Sequence, residues 1–219
     1  TGALSYQWQS STTSNIAGFS DILGATLSTY NPPAGQTLTT YFRLIVTSTL
    51  NSIACTSTSA VLTVFVNNVS PSVIANNQTI CSGGNPAAFT NTTAATGTGA
   101  LSYQWQSSTT SAAAGFSDIA GATNATYDAP SGLTTTTYYQ VISTSTLNGV
   151  PCSATSNVIT VTINNVSAGV LSQTQTICSA GDAAAFTVTT AATGTGALSY
   201  QWQSSTTSNI AGFSDILGA

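Results

Sequence analysis

The run Thr98-Gly99-Ala100-Leu101-Ser102-Tyr103-Gln104-Trp105-Gln106-Ser107-Ser108-Thr109-Thr110-Ser111 occurs three times, beginning at Thr1, Thr98 and Thr195. The period is therefore 97 residues, and a fixed period means one structural unit repeated in tandem. Within the run, Leu101, Tyr103 and Trp105 alternate with Ser102, Gln104 and Gln106, as in a strand with one buried face. Residues 1–25 and 195–219 are identical, whereas the middle copy has Ala112, Ala113 and Ala120 in place of Asn15, Ile16 and Leu23. The larger repeat is thus two units, 194 residues. The chain opens and closes inside a unit, with no initiator Met or signal peptide, so Thr1 and Ala219 are expected to be arbitrary ends of a slice through a longer array.

The segments Asn67-Asn68-Val69-Ser70 and Asn164-Asn165-Val166-Ser167 are polar, follow strand-like runs and lie one period apart. Boundaries placed there divide the chain into the back of one unit (1–67), one complete unit (68–164) and the front of a third (165–219). In the complete unit, Ile159, Val161 and Ile163 alternate with Thr160 and Thr162, and Thr136–Ser143 is rich in β-branched and aromatic residues. Turn signals separate the runs: Ser82-Gly83-Gly84-Asn85-Pro86, Thr96-Gly97-Thr98-Gly99, Ala129-Pro130-Ser131-Gly132 and Leu147-Asn148-Gly149. No stretch pairs a helical period with a cap. About seven short strands in just under 100 residues predict an all-β chain of tandem immunoglobulin-like sandwiches. Trp8, Trp105 and Trp202 are expected in the cores, with the flanking Gln residues outward.

Composition narrows the function. The chain has one cation, Arg43, and five anions, Asp21, Asp118, Asp128, Asp182 and Asp215, with no His, Glu, Lys or Met. Hydrophobic residues make up 42% and charged ones 3%, the opposite of a disordered chain. A net charge of −4 offers no phosphate-binding patch, which argues against nucleic acid as a partner. Apolar runs are far shorter than the roughly 20 residues of a membrane-spanning helix. Acid–base catalysis needs a tunable group, and only Asp is available; Asp128 could pair with Asp118, but its first-unit counterpart is Asn31, so the pair does not recur, and a Cys nucleophile has no His partner. No catalytic residue, metal site or cofactor is therefore predicted. Asp118 with backbone carbonyls falls short of the carboxylate count of a calcium site. The sequons, Asn91-Thr92-Thr93 among them, carry no information in so Ser/Thr/Asn-rich a chain.

Cys55, Cys81, Cys152 and Cys178 form no CxxC pair. A disulfide framework fits them better and implies an oxidising, extracellular compartment. Within the complete unit the only pairing is Cys81–Cys152, which would stabilise it by about 4 kcal/mol through loop closure. Cys55 and Cys178 would then pair outside the slice. The rival pairing, Cys55–Cys81, would staple neighbouring units, and spacing does not decide between them.

Taken in order, TICSGG, YQWQSS, FSDIAGAT, TYDAP, LTTTTYYQV, a lone Cys and SNVITVTI resemble the immunoglobulin-like (PKD/SprB-like) repeats of giant Bacteroidetes cell-surface proteins. These include gliding adhesins and long filaments exported by type IX secretion. The resemblance covers all three units. It implies a secreted, tandemly repeated structural protein on the cell surface, and it transfers no catalytic residue.

Differences between copies carry a further expectation. Ile16, Leu23 and Phe65 of the first unit become Ala113, Ala120 and Thr162 in the second. Phe65 has outward parity in its strand, with Leu62, Val64 and Val66 inward. An apolar patch present only in odd units would recur every 194 residues and let parallel chains, identical partners, bundle in register. The expected function is a segment of an extracellular filament or stalk serving projection and attachment. The competing class is a multivalent adhesin module binding surface glycans through exposed Tyr, Gln and Thr.

Overall fold

The computed structural model describes residues 2–218; Thr1 and Ala219, read above as arbitrary ends, lie outside them. Among the described residues every regular element is a strand, so the chain is all-β. The first unit holds β1 (Ala3–Ser11), β2 (Ser20–Asp21), β3 (Thr40–Leu50), β4 (Ile53–Thr58) and β5 (Leu62–Val64). The complete unit holds β6 (Val69–Ser70), β7 (Val73–Ala75), β8 (Gln78–Cys81), β9 (Thr90–Thr93), β10 (Thr96–Gly97), β11 (Ala100–Ser108), β12 (Ser117–Asp118), β13 (Thr137–Leu147), β14 (Val150–Thr155) and β15 (Ile159–Asn164). The third unit holds β16 (Val166–Ser167), β17 (Val170–Ser172), β18 (Thr187–Thr190), β19 (Thr193–Gly194), β20 (Gln203–Ser204) and β21 (Ser214–Asp215). No helix of the described residues is long and apolar enough to cross a membrane.

The main sheet of the complete unit runs β12-β11-β13-β15-β8, with β14 also on β13. The pair β7–β9 is a separate small sheet. Alternation along β13 buries Thr137, Tyr139, Val141, Ser143 and Ser145 while the residues between them stay half-buried. On β15 the same period buries Ile159, Val161 and Ile163 and leaves Thr162 exposed. These faces meet Ile74 of β7 and Phe89 around Trp105, which is 1% exposed. Trp105 stacks 5.9 Å from Phe89 and lies 5.5 Å from Tyr127. Its indole N–H, which burial would otherwise leave unpaired, donates to the Asn124 carbonyl at 3.0 Å. Trp8 repeats that bond to Leu27, and Trp202 is 38% exposed.

Burial raises the Tyr139 phenol from its ordinary 10.0 to about 12, and raises that of Tyr127. A raised folded-state pKa means the native unit keeps protons that the unfolded chain loses above pH 10. The contribution of these phenols to stability is therefore constant below pH 10 and falls as pH climbs through about 12. The urea midpoint followed from pH 9 to 12 should drop, and Tyr139→Phe should flatten most of that slope. An unchanged slope in the variant would rule Tyr139 out as its source.

Strand β8 pairs parallel to β15, with Gln78 opposite Val161 and Cys81 opposite Asn164. Strand β15 runs antiparallel to β13, with Val161 opposite Thr137, which puts Asn164 level with Thr134. Ser145, at the other end of β13, is opposite Cys152. The unit therefore has two poles eleven residues apart (145 − 134), about 36 Å at strand rise. The chain enters at one pole, where β6 touches β13 and β14, and leaves at the other through Asn164.

Candidate interaction surfaces

The two poles overturn the cysteine pairing. Cys81 and Cys152 lie about a strand length, some 36 Å, apart, whereas a disulfide needs Cα atoms within about 7 Å. Cys55–Cys81 is excluded more strongly, because Cys55 sits opposite Ser48 at the entry pole of the first unit and Cys81 at the exit pole of the second. All four cysteines are free thiols, and Cys152 is half-buried while the others are exposed. Sequence spacing put Cys81 and Cys152 near the two ends of one unit; the parallel β8–β15 pairing sends those ends to opposite poles.

Where consecutive units meet, one side chain spans the joint. The Asn67 amide donates to the Ser145 carbonyl at 2.6 Å and to the Val150 carbonyl at 2.7 Å. Its Oδ1 accepts from Ser145 Oγ at 2.7 Å and Thr98 Oγ1 at 3.1 Å. Ser145 Oγ in turn accepts from the Gly99 N–H. Asn68 adds a bond backwards to the Thr37 carbonyl. One period later Asn164 Oδ1 accepts from Thr195 Oγ1 at 2.8 Å, so the motif recurs. What reads as a polar spacer is thus a built contact with no slack residues. The usable signal was the recurrence of Asn67 and Thr98 one period on, as Asn164 and Thr195.

The outer face of the main sheet carries a side-chain ladder. Gln140 donates to Gln106 at 2.7 Å, and Gln106 to the Asp118 carboxylate at 2.8 Å. In the first unit Arg43 takes the place of Gln140, donating to Gln9, which donates to Asp21. The Arg43 guanidinium also lies 4.1 Å from the Phe19 ring centre. The Gln203–Asp215 bond repeats the last rung in the third unit. The recurrent Asp is thus an acceptor that ties β2, β12 or β21 to its neighbour. Among the described residues no three His, Cys, Asp or Glu side chains gather as a metal site.

The odd-unit substitutions project outward. Ile16 is 85% exposed, Leu23 102% and Phe65 57%; Ile210 and Leu217 repeat the first two in the third unit. Their counterparts Ala113, Ala120 and Thr162 are exposed in the complete unit, so these positions belong to the outside. Leu62, expected inward, is exposed in the first unit, whereas its counterpart Ile159 is buried in the complete one. Ile16 is firmly presented: Ser11 Oγ donates to the Ala17 carbonyl and accepts from Thr13 and Ser14 N–H, and Gly18 closes the loop at φ +75°. Two further substitutions of this kind, exposed Leu27 and Leu38 for Asn124 and Thr135, were missed because they lie in irregular segments.

The largest clefts, about 870 and 650 Å³, are in the third unit and share Leu171 and Trp202. Phe186 lines the larger, and the counterparts of these three, Ile74, Phe89 and Trp105, are buried core in the complete unit. The clefts are therefore lined by positions that form the packed core of the complete unit, where β13 and β15 cover them. A shallow hollow of about 300 Å³ lies beside Tyr127 and Asp128 of the complete unit.

No curated protein and no solved structure matches the chain. The family model described as a domain of unknown function (DUF8696) matches residues 1–68, 70–165 and 167–219, next to the Asn-Asn joints, and the chain belongs to that family.

Proposed function

We propose that each 97-residue unit is an immunoglobulin-like sandwich and that the chain is a structural segment of a long extracellular filament or stalk on a cell surface. The observation that carries this is the joint: Asn67 bonds four groups of the next unit, so successive units are fixed rather than tethered. The sandwich reading draws on Trp105 between two sheets and on an early strand, β8, paired parallel with the last, β15. The extracellular assignment draws on the resemblance in repeat pattern. Negative-stain electron microscopy of the native material tests the proposal. Straight fibres without added ligand are expected; flexible single strings that bind immobilised glycans would instead support an adhesin array.

Lateral contact between chains belongs to the same proposal. Ile16, Leu23 and Phe65 lie outward on odd units, and the first two recur after 194 residues. Two chains in register would match these groups at every second unit. Replacing all three with Ser should leave circular dichroism and unfolding unchanged and abolish bundling. Bundles of normal width in the triple variant would remove these residues from the contact.

A further inference from the structure

The first and last segments of the complete unit lie side by side and parallel, stitched from end to end. Near the entry pole, the Asn157 side chain bonds Ile74 twice, its Oδ1 accepting from the Ile74 N–H at 2.8 Å and its amide donating to the Ile74 carbonyl at 2.7 Å. Further along, Asn77 Oδ1 accepts from the Thr160 N–H at 2.8 Å. The backbone register Gln78–Cys81 against Val161–Asn164 follows. The Ser82 N–H closes the series on the Asn164 carbonyl at 3.2 Å. Gln78 anchors β8 on its other side with two bonds to Ala87.

We infer that this seam is a tensile clamp. Pulling along the array draws the entry end one way and the exit end the other. Because β8 and β15 are parallel and the chain enters and leaves at opposite poles, that pull slides one strand along the other. Sliding loads every bond of the seam at once, whereas peeling from one end breaks them singly. Each bond contributes little at equilibrium, so resistance comes from simultaneity. The inference gives the filament reading a mechanical basis and depends on that reading only for its purpose.

The seam also differs with parity. The position of Asn157 is Ala60 in the first unit, and that of Asn77 is Thr174 in the third. The first unit therefore lacks the Asn157 stitch and the third lacks the Asn77 stitch. Units that carry both stitches are then the stronger links.

The test is single-molecule pulling of the full chain from handles at its two ends. Only the complete unit should give one discrete unfolding event. Asn157→Ala and Asn77→Thr, which install the odd-unit residues, should each lower its unfolding force, and together lower it further. Should Asn157→Ala fail to fold, Asn77→Thr alone carries the comparison, since Thr already occupies that place at Thr174. A second geometry, with one handle at Ser82 and one at the chain end, starts both strands from the same pole and peels the seam; the force should be several-fold lower. Equal forces in the two geometries, or stitch variants that lose urea stability with no change in end-to-end unfolding force, would overturn the clamp. Absence of fibres in microscopy would count against the filament reading and leave the clamp measurement standing.

Discussion

Trp105→Ala should destabilise the complete unit by about 3–5 kcal/mol, the usual range for truncating a buried aromatic. The indole sits in the buried core of the unit, in contact with Phe89 and Tyr127. Its removal also leaves the Asn124 carbonyl without the indole donor. Domains of this size hold only about 5–15 kcal/mol in total, so the loss takes a large share. Urea unfolding followed by far-UV circular dichroism should show an early transition for the complete unit. Trp105→Phe should fall between, keeping most of the volume but not the bond. A midpoint within error of the wild type in the Ala variant would mean that the core is organised around another residue.

Gly99→Ala should cost about 1–3 kcal/mol, the range for forcing extra volume into a packed position. A Cβ at this position would run into the Thr146 carbonyl of β13, and a backbone atom cannot rotate away. Gly97 faces a similar constraint, because its Cβ would lie 2.7 Å from that of Ser145. Relief requires β11 to move off β13 at the entry pole, where the Gly99 N–H also bonds Ser145 Oγ. The damage should therefore reach the Asn67 joint. Hydrogen exchange should rise at the ends of β11 and β13 and at Asn67–Ser70, with the exit pole unaffected. Wild-type exchange at these sites would show that the strands absorb a methyl group without separating.

The sequence made the strand pattern legible where one face is buried and the other wet. In Tyr138-Tyr139-Gln140-Val141-Ile142-Ser143 the two-residue period follows directly from the pleat, and β13 and β15 bury alternate residues in that register. The poles were not legible. That Cys81 and Cys152 lie at opposite ends depends on β8 joining β15 in parallel, a pairing between segments some 80 residues apart that leaves no local trace. The Asn67 contact was hidden for a related reason: a side chain bonding carbonyls in the next unit imposes no periodicity. Asn157 was hidden likewise, since its bonds reach back 83 residues to Ile74. In both cases comparison between copies, Asn67 with Asn164 and Asn157 with Ala60, held information that pattern reading within one copy did not.

The joint has a consequence for how such an array changes length over generations. Both joints pair the same exit residue, Asn67 or Asn164, with the same receiving Thr, Thr98 or Thr195, so one unit fits behind another in either order. Unequal recombination that inserts or deletes 97 residues leaves each joint matched, and the number of units is free to change one at a time. Gain or loss of 194 residues also preserves the alternation of odd and even copies, whereas a single-unit change shifts every downstream Ile16-type and Asn157-type position by one unit. Selection on side-to-side matching would then favour length variants that differ by pairs.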